Sequence, residues 1–189
     1  MILDLSEDGK FVSISAFKVP SGMVPFGTLK EIRAAIPGGE IQFFDGGHIA
    51  GKEHLEITAI NALHAFKTGV SVSRSLAMET LLYASAQRQI AAAIAKAGVT
   101  RNSTIVGFLA FSNSEDEARE IEQKIAHFVG AELTEGLLDE WSEEKVSKLM
   151  TVYEIGTVEL EAIRMPGQKM ETAIKKAVAE RVALLSTRT

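Results

Sequence analysis

The run at residues 104–111, TIVGFLAF, constrains the fold more than any other stretch of the chain. It carries no charge and is apolar at both odd and even positions, so as a strand it would be buried on both faces. Such a strand belongs in the middle of a sheet, with helices covering it. Residues 12–17 alternate as a strand does, and residues 41–45 (IQFFD) read as a short buried strand.

Helical spacing occupies the intervals. Residues 28–36 read as a short helix ended by Pro37-Gly38-Gly39. Residues 52–67 place Leu55, Ala59, Ala62, Leu63 and Phe66 on one face, and Gly69 closes them. Ser75 can cap a helix reaching about Ala84, and residues 87–97 form another that stops at Gly98. Residues 115–129 are amphipathic and end at Gly130, and Ser142 opens a short helix to Leu149. Residues 152–162 fit a strand or a loop. Near the C-terminus, Met170, Ala173, Ile174, Ala177, Val178, Val182 and Leu185 form one apolar stripe. Helices outnumber strands between residues 52 and 97, which breaks a regular βαβ succession. The expectation is a single α/β domain over residues 1–189, with a small mixed, partly antiparallel sheet covered by helices.

At 189 residues, 46% apolar and 24% charged, the chain can build one proper core. With no cysteine, disulfides, thiolate metal sites and a cysteine nucleophile are excluded, which suits a reducing, cytoplasmic setting. Asp4, Glu7 and Asp8 interrupt any apolar leader, and the apolar runs are too short to span a membrane. The net charge of −5 argues against bulk nucleic-acid binding. Yet residues 48–101 carry six Lys/Arg against three Asp/Glu, leaving the rest of the chain at −8. The basic middle reads either as ordinary solvated helix faces or as a local anion-binding surface.

The stretch FFDGGHIAGKEHL places four residues between Gly46 and Gly51-Lys52, close to a phosphate-binding P-loop. A strand precedes it and a helix follows it. Glu53, however, stands where Ser or Thr would ligate magnesium, and its carboxylate would repel phosphate. A small P-loop-like nucleotide-binding enzyme using Gly46 and Lys52 is therefore the alternative reading, against a glycine-rich turn with a solvated lysine. His48 and His54 with Asp45 could gather around a metal, but hydrogen-bonded loop histidines fit the spacing better. Glu79, beside Tyr83 on a mostly apolar helix, reads as a perturbed acid or a capping carboxylate. No combination of residues carries a reaction, so a binding or regulatory role is favoured and no catalytic residue, metal or cofactor is assigned.

Three features then carry a family resemblance: D-x-x-x-I-x-G-x-E-H-L from Asp45, R-S-L-x-x-E-x-L-L-Y-x-S-x-x-R-Q-I from Arg74, and A-I-x-x-x-G-V before the buried strand. Residues 41–111 resemble the small kinase-binding regulatory subunits of the KEOPS (EKC) complex, TPRKB-like and of archaeal type, and the tail AIKKAVAERVALLS resembles their C-terminal helix. The resemblance implies one KEOPS regulatory-subunit domain that is not an enzyme. It implies binding to the N-terminal lobe of the PRPK-type kinase/ATPase and its stimulation, with the remaining KEOPS subunits as indirect partners. It also implies recruitment of tRNA through its 3′ CCA end for threonylcarbamoyladenosine (t6A) modification beside the anticodon. Nucleotide then belongs to the kinase, and the GxxxxGK spacing is coincidental.

On that basis Leu76, Met78, Leu81, Ile90, Ile174, Val178 and Val182 are candidates for the kinase-binding surface, with some of them reserved for the core. Lys52, Arg74 and Arg88 are candidates for tRNA binding, because a single-stranded end needs cations for its backbone and flat surfaces for its bases. Tyr83 and His54 are candidate stacking groups.

Overall fold

In the computed structural model, which describes residues 1–20, 25–36 and 40–187, four strands form one sheet. They are β1 (Ile2–Leu5), β2 (Lys10–Lys18), β3 (Glu40–Asp45) and β4 (Ile105–Ser112), in the order β1-β2-β4-β3. The uncharged run is β4, and it lies inside the sheet as expected, with Leu109 opposite Ile14 on one side and Gln42 on the other. Every pairing is antiparallel, so the sheet goes further than the partly antiparallel one expected. β1 was not anticipated, because four residues interrupted by Asp4 show no clear alternation. Its pairing with β2 through Gly9, at φ +73°, makes it a strand.

Both faces of β4 are covered. Helices α1 (Pro25–Ala35) and, later in the chain, α5 (Glu115–Val129) lie on one face. There Leu29, Ile32, Ile121 and Ile125 pack on Phe43, Val106 and Phe108. The other face carries α2 (Lys52–Thr68), α3 (Leu76–Ser85), α4 (Ile90–Ala97), α6 (Glu143–Val152), α7 (Thr157–Ile163) and α8 (Met170–Leu185). These pack on Ile14, Phe44, Leu109 and Phe111. The two faces bury alternate residues of β4, which is why its sequence is apolar at every step. Gly107 lets Leu138 pack closely on β4, since a Cβ there would sit 3.0 Å from that side chain.

The caps at Ser75 and Ser142 are where the sequence places them, and Ser114, not singled out from the sequence, caps α5 in the same way. Ser75, Ser114 and Ser142 accept from the backbone N–H three residues on, at 3.3, 3.1 and 3.1 Å. Gly69 and Gly130 close α2 and α5 in the left-handed region. The proposed stop at Pro37-Gly38-Gly39 lies outside the described residues. Two boundaries differ. α4 starts at Ile90 rather than Gln87, because Ala86 turns left-handed (φ 51°) and donates its N–H to Leu82 and Tyr83, ending α3. The ambiguous segment after residue 152 holds helix α7, separated from α6 by Glu154 at φ 53° and anchored by buried Leu160.

His54 is the buried polar centre of the helical face. Its Nδ1 accepts from Ala50 N–H (3.2 Å), and its Nε2 lies 3.0 Å from the carbonyl of Ala84, so the ring is neutral with the proton on Nε2. Burial pushes its pKa down from 6.5 to about 4; the Ala84 carbonyl opposes that shift, and Lys145 and Lys96 add to it. The unfolded chain takes a proton near pH 6.5 and the folded one only near pH 4. Stability is therefore full above 6.5 and falls as the pH drops through this window, by about 3 kcal/mol. Denaturant titrations between pH 7 and 4 should show this slope in the native protein and its loss in His54→Gln. Equal slopes would contradict a buried neutral ring. Gly51 has φ 89° and ψ 172°, a region open to glycine. Gly51→Ala should cost about 2 kcal/mol in the same measurement.

Candidate binding surfaces

The near-P-loop stretch is a strand-to-helix corner held by close contacts. Asp45 accepts from Gly47 N–H (2.9 Å) and from the Ser103 hydroxyl (2.6 Å). A Cβ on Gly46 would lie 2.5 Å from Ile105, and one on Gly51 2.6 Å from Asp139 and Lys175. The glycines thus admit neighbouring side chains. At the start of α2 the Lys52 N–H points to Asp139 Oδ2 (3.4 Å), while Lys175 pairs with Asp139 (2.5 Å) and Glu53 (2.9 Å). Burial disfavours the Lys175 ammonium, but Asp139 and Glu53 outweigh it and hold its pKa above the ordinary value. The protein's own carboxylate occupies the place that a phosphate takes in a P-loop. Among the described residues no group of three or more His, Asp or Glu is arranged to hold a metal.

The three candidate cations do not form one patch. Lys52 is half-buried at the start of α2, and Val70 follows the other end of that helix, about 25 Å away at 1.5 Å per residue. Arg88 lies at the Val70 end. There Val70, Val72, Tyr83, Gln87, Arg88 and Leu185 line a groove of about 130 Å³. Glu79 holds the loop that forms one wall, accepting from the N–H groups of Val72 (3.2 Å) and Ser73 (2.7 Å). It is a buried carboxylate that anchors the loop ahead of α3, whereas the helix cap itself is Ser75. Burial and nearby Glu79 push the Tyr83 phenol up in pKa, and Arg88 pulls it down. Arg74 is exposed two residues beyond Val72. Phe66, Val70 and Val72 leave apolar surface exposed around this groove. His54 and Tyr83, 3% and 4% exposed, face the core, so neither candidate stacking group offers a surface to a base.

The apolar candidates divide by burial. Leu76, Leu81, Ile174, Val178 and Val182 are core residues, each at most 4% exposed. The cause is the packing of α3 between α2, α4 and the β3 edge, and of the α8 stripe against α2. These five present no surface to a partner. Met78 is half-buried and Ile90 is 43% exposed. One turn beyond Ile90, Ile94 is 51% exposed and lines a groove with Arg33, Phe43, Met78 and Val99. The Arg33 guanidinium lies 5.2 Å from the Phe43 ring centre at that groove. Ile94 was missed, although the i, i+4 pair Ile90/Ile94 on an Ala-rich helix was its signal. The groove-lining Val70, Val72 and Leu185 were missed too, since nothing in a sequence separates an exposed valine from a buried one.

Residues 28–186 match the family described as kinase binding protein CGI-121, so the chain belongs to this family of kinase-binding proteins. No individual curated protein matches the chain. Among the described residues, no helix is long and apolar enough to cross a membrane.

Burial alone predicts how charge substitutions separate. Val178→Asp should lose at least about 3 kcal/mol, because it buries an unpaired carboxylate. Ile94→Glu should stay within about 0.5 kcal/mol of the native protein, as surface changes do. Thermal or denaturant unfolding of both variants checks the assignment of core and surface.

Proposed function

We propose that the chain is the non-catalytic kinase-binding subunit of a cytoplasmic KEOPS-type assembly, which recruits tRNA by its 3′ CCA end for t6A modification beside the anticodon. The match to the kinase-binding family over residues 28–186 carries this reading. The kinase partner, of PRPK type, docks through its N-terminal lobe on the exposed strip of Ile90 and Ile94 with Met78 at its margin. The remaining subunits are reached through the kinase.

For tRNA, the groove beside Arg88 has the required chemistry. Arg88 and Arg74 supply charge for the backbone, while the exposed Val70 and Val72 offer apolar surface to unpaired bases. Lys52 stands too far from this groove to share one contact with it and meets a more distant phosphate. An acidic protein holds tRNA only through such a restricted area, so binding should be modest and weaken with salt.

The test is binding of tRNA with and without its CCA end, by filter retention or anisotropy. Truncation should weaken binding at least tenfold, and Arg88→Glu or Arg74→Glu should do the same while kinase binding stays intact. Equal binding of whole and truncated tRNA, or two silent reversals, would falsify the CCA-end assignment. Micromolar ATP binding lost in Lys52→Ala would instead establish the nucleotide-binding alternative.

A further inference from the structure

A large surface depression lies away from both surfaces just described. It is a groove of about 820 Å³, open along one side, between α6 and the first turn of α8. Ser142, Glu143, Val146, Ser147, Met150 and Thr151 line it, at the spacing that marks one face of α6. The opposite face of α6 is already used: Leu149 is in the core, and Lys145 donates to the carbonyl of Leu138 at 2.6 Å. α6 therefore presents a second apolar stripe, Val146 and Met150, which packs against the core on one side and is left half-buried along the groove. Half-buried Trp141 extends it, buried Ile155 lies beneath it, and Met170 forms the far wall while staying 38% exposed. The Lys145 ammonium lies 5.3 Å from the Trp141 ring centre and steadies the indole at the edge of the groove.

The charge around this floor has one sign. Glu143 and Glu171 are the ionisable residues of the lining, both in the first turns of their helices. Residues 132–171 carry ten Asp/Glu against four Lys/Arg, and one of those four is the buried Lys145. An anionic ligand is disfavoured here. A floor with two methionines adapts to varied apolar side chains, and an acidic rim selects cations beside them. An open trough between two helices suits a third helix better than a small molecule, which a pocket would enclose on most sides.

We propose that the α6–α8 groove is a docking site for a basic amphipathic helix of a protein partner, with apolar anchors on the methionine floor and Lys or Arg against Glu143 and Glu171. The site is independent of the kinase and tRNA surfaces proposed above.

Trp141 is the only tryptophan and reports on the groove directly. The probe is a Trp-free Leu/Lys peptide with apolar residues at helical spacing, titrated into the full chain at low salt. The expected result is a saturable blue shift of Trp141 emission at micromolar peptide. Binding should weaken at least tenfold in Glu143→Lys/Glu171→Lys and in Met150→Lys, and remain unchanged in Arg88→Glu. The Glu variants change half-buried or exposed positions, so they test the groove even where Met150→Lys fails to fold. A peptide of the same composition in scrambled order, and a Leu/Glu peptide at helical spacing, should not bind. Equal binding of either control, no saturable shift, or native affinity in the double Glu variant would overturn the proposal. So would concentration-dependent dimers in sedimentation that the Met150 or double Glu variant dissociates, which would assign the groove to a second copy of the chain.

Discussion

One carbonyl oxygen organises the helical face of the protein. Ala84 lies in the last turn of α3, where helix carbonyls lack partners within the helix. The left-handed Ala86 directs its N–H to Leu82 and Tyr83, and the Gln87 N–H goes to Leu82, so neither reaches Ala84. Its oxygen is buried and must be paired by other means. His54 Nε2 from α2 (3.0 Å) and the Tyr153 hydroxyl beyond α6 (2.8 Å) both meet it. The Tyr153 oxygen also lies 3.1 Å from the carbonyl of His48. Burial keeps the tyrosine phenol protonated well beyond its ordinary range and the histidine neutral, so both remain donors. Three segments far apart in sequence converge on one acceptor. Loss of either donor leaves a buried group short of a partner, which costs more than an exposed hydrogen bond is worth.

This node fixes what the surfaces need. The turn after Ala84 carries Arg88 and starts α4, so the same geometry sets the groove beside Tyr83 and the exposed pair Ile90 and Ile94. Lys96 places its ammonium 4.6 Å from the Tyr153 ring centre and couples the other end of α4 to the node. The proposed binding surfaces are thus extensions of the core packing, held by short connections on rigid helices.

Much of this was legible in the sequence, and the rest was hidden for definite reasons. The uncharged β4 announces its own burial, and Ser75 and Ser142 announce helix starts, because strand alternation and caps are local physics. The glycines of the corner were readable as turn formers. Their role in admitting Ile105, Asp139 and Lys175 was not, since Ile105 is 59 positions from Gly46, and Asp139 and Lys175 are 88 and 124 positions from Gly51. His54 reads as a loop or surface group until Ala84 and Tyr153 are brought to it, and Tyr153 falls in the one segment without a clear period. Burial of Leu76 and Val178 beside exposure of Ile90 and Ile94 depends on which face meets the sheet. A helix that is apolar on most sides does not disclose that by spacing alone.

α8 links two surfaces of opposite character. Its first turn holds Met170 and Glu171 at the acidic groove, and its last holds Leu185 beside Arg88. At 1.5 Å per residue these ends are about 20 Å apart, roughly two screening lengths at physiological salt. Charge at one end therefore contributes little to the potential at the other. The chain's net charge of −5 conceals this division, because the acidic excess is concentrated in residues 132–171. A polyanion approaching the molecule is repelled by the α6 side and tolerated at the α3–α4 turn, and a basic helix experiences the reverse. The groove at one end of this rigid helix has Glu143 and Glu171 as its charged lining and the groove at the other has Glu79 with Arg88, so the two proposed surfaces differ in local charge and would not compete for one ligand.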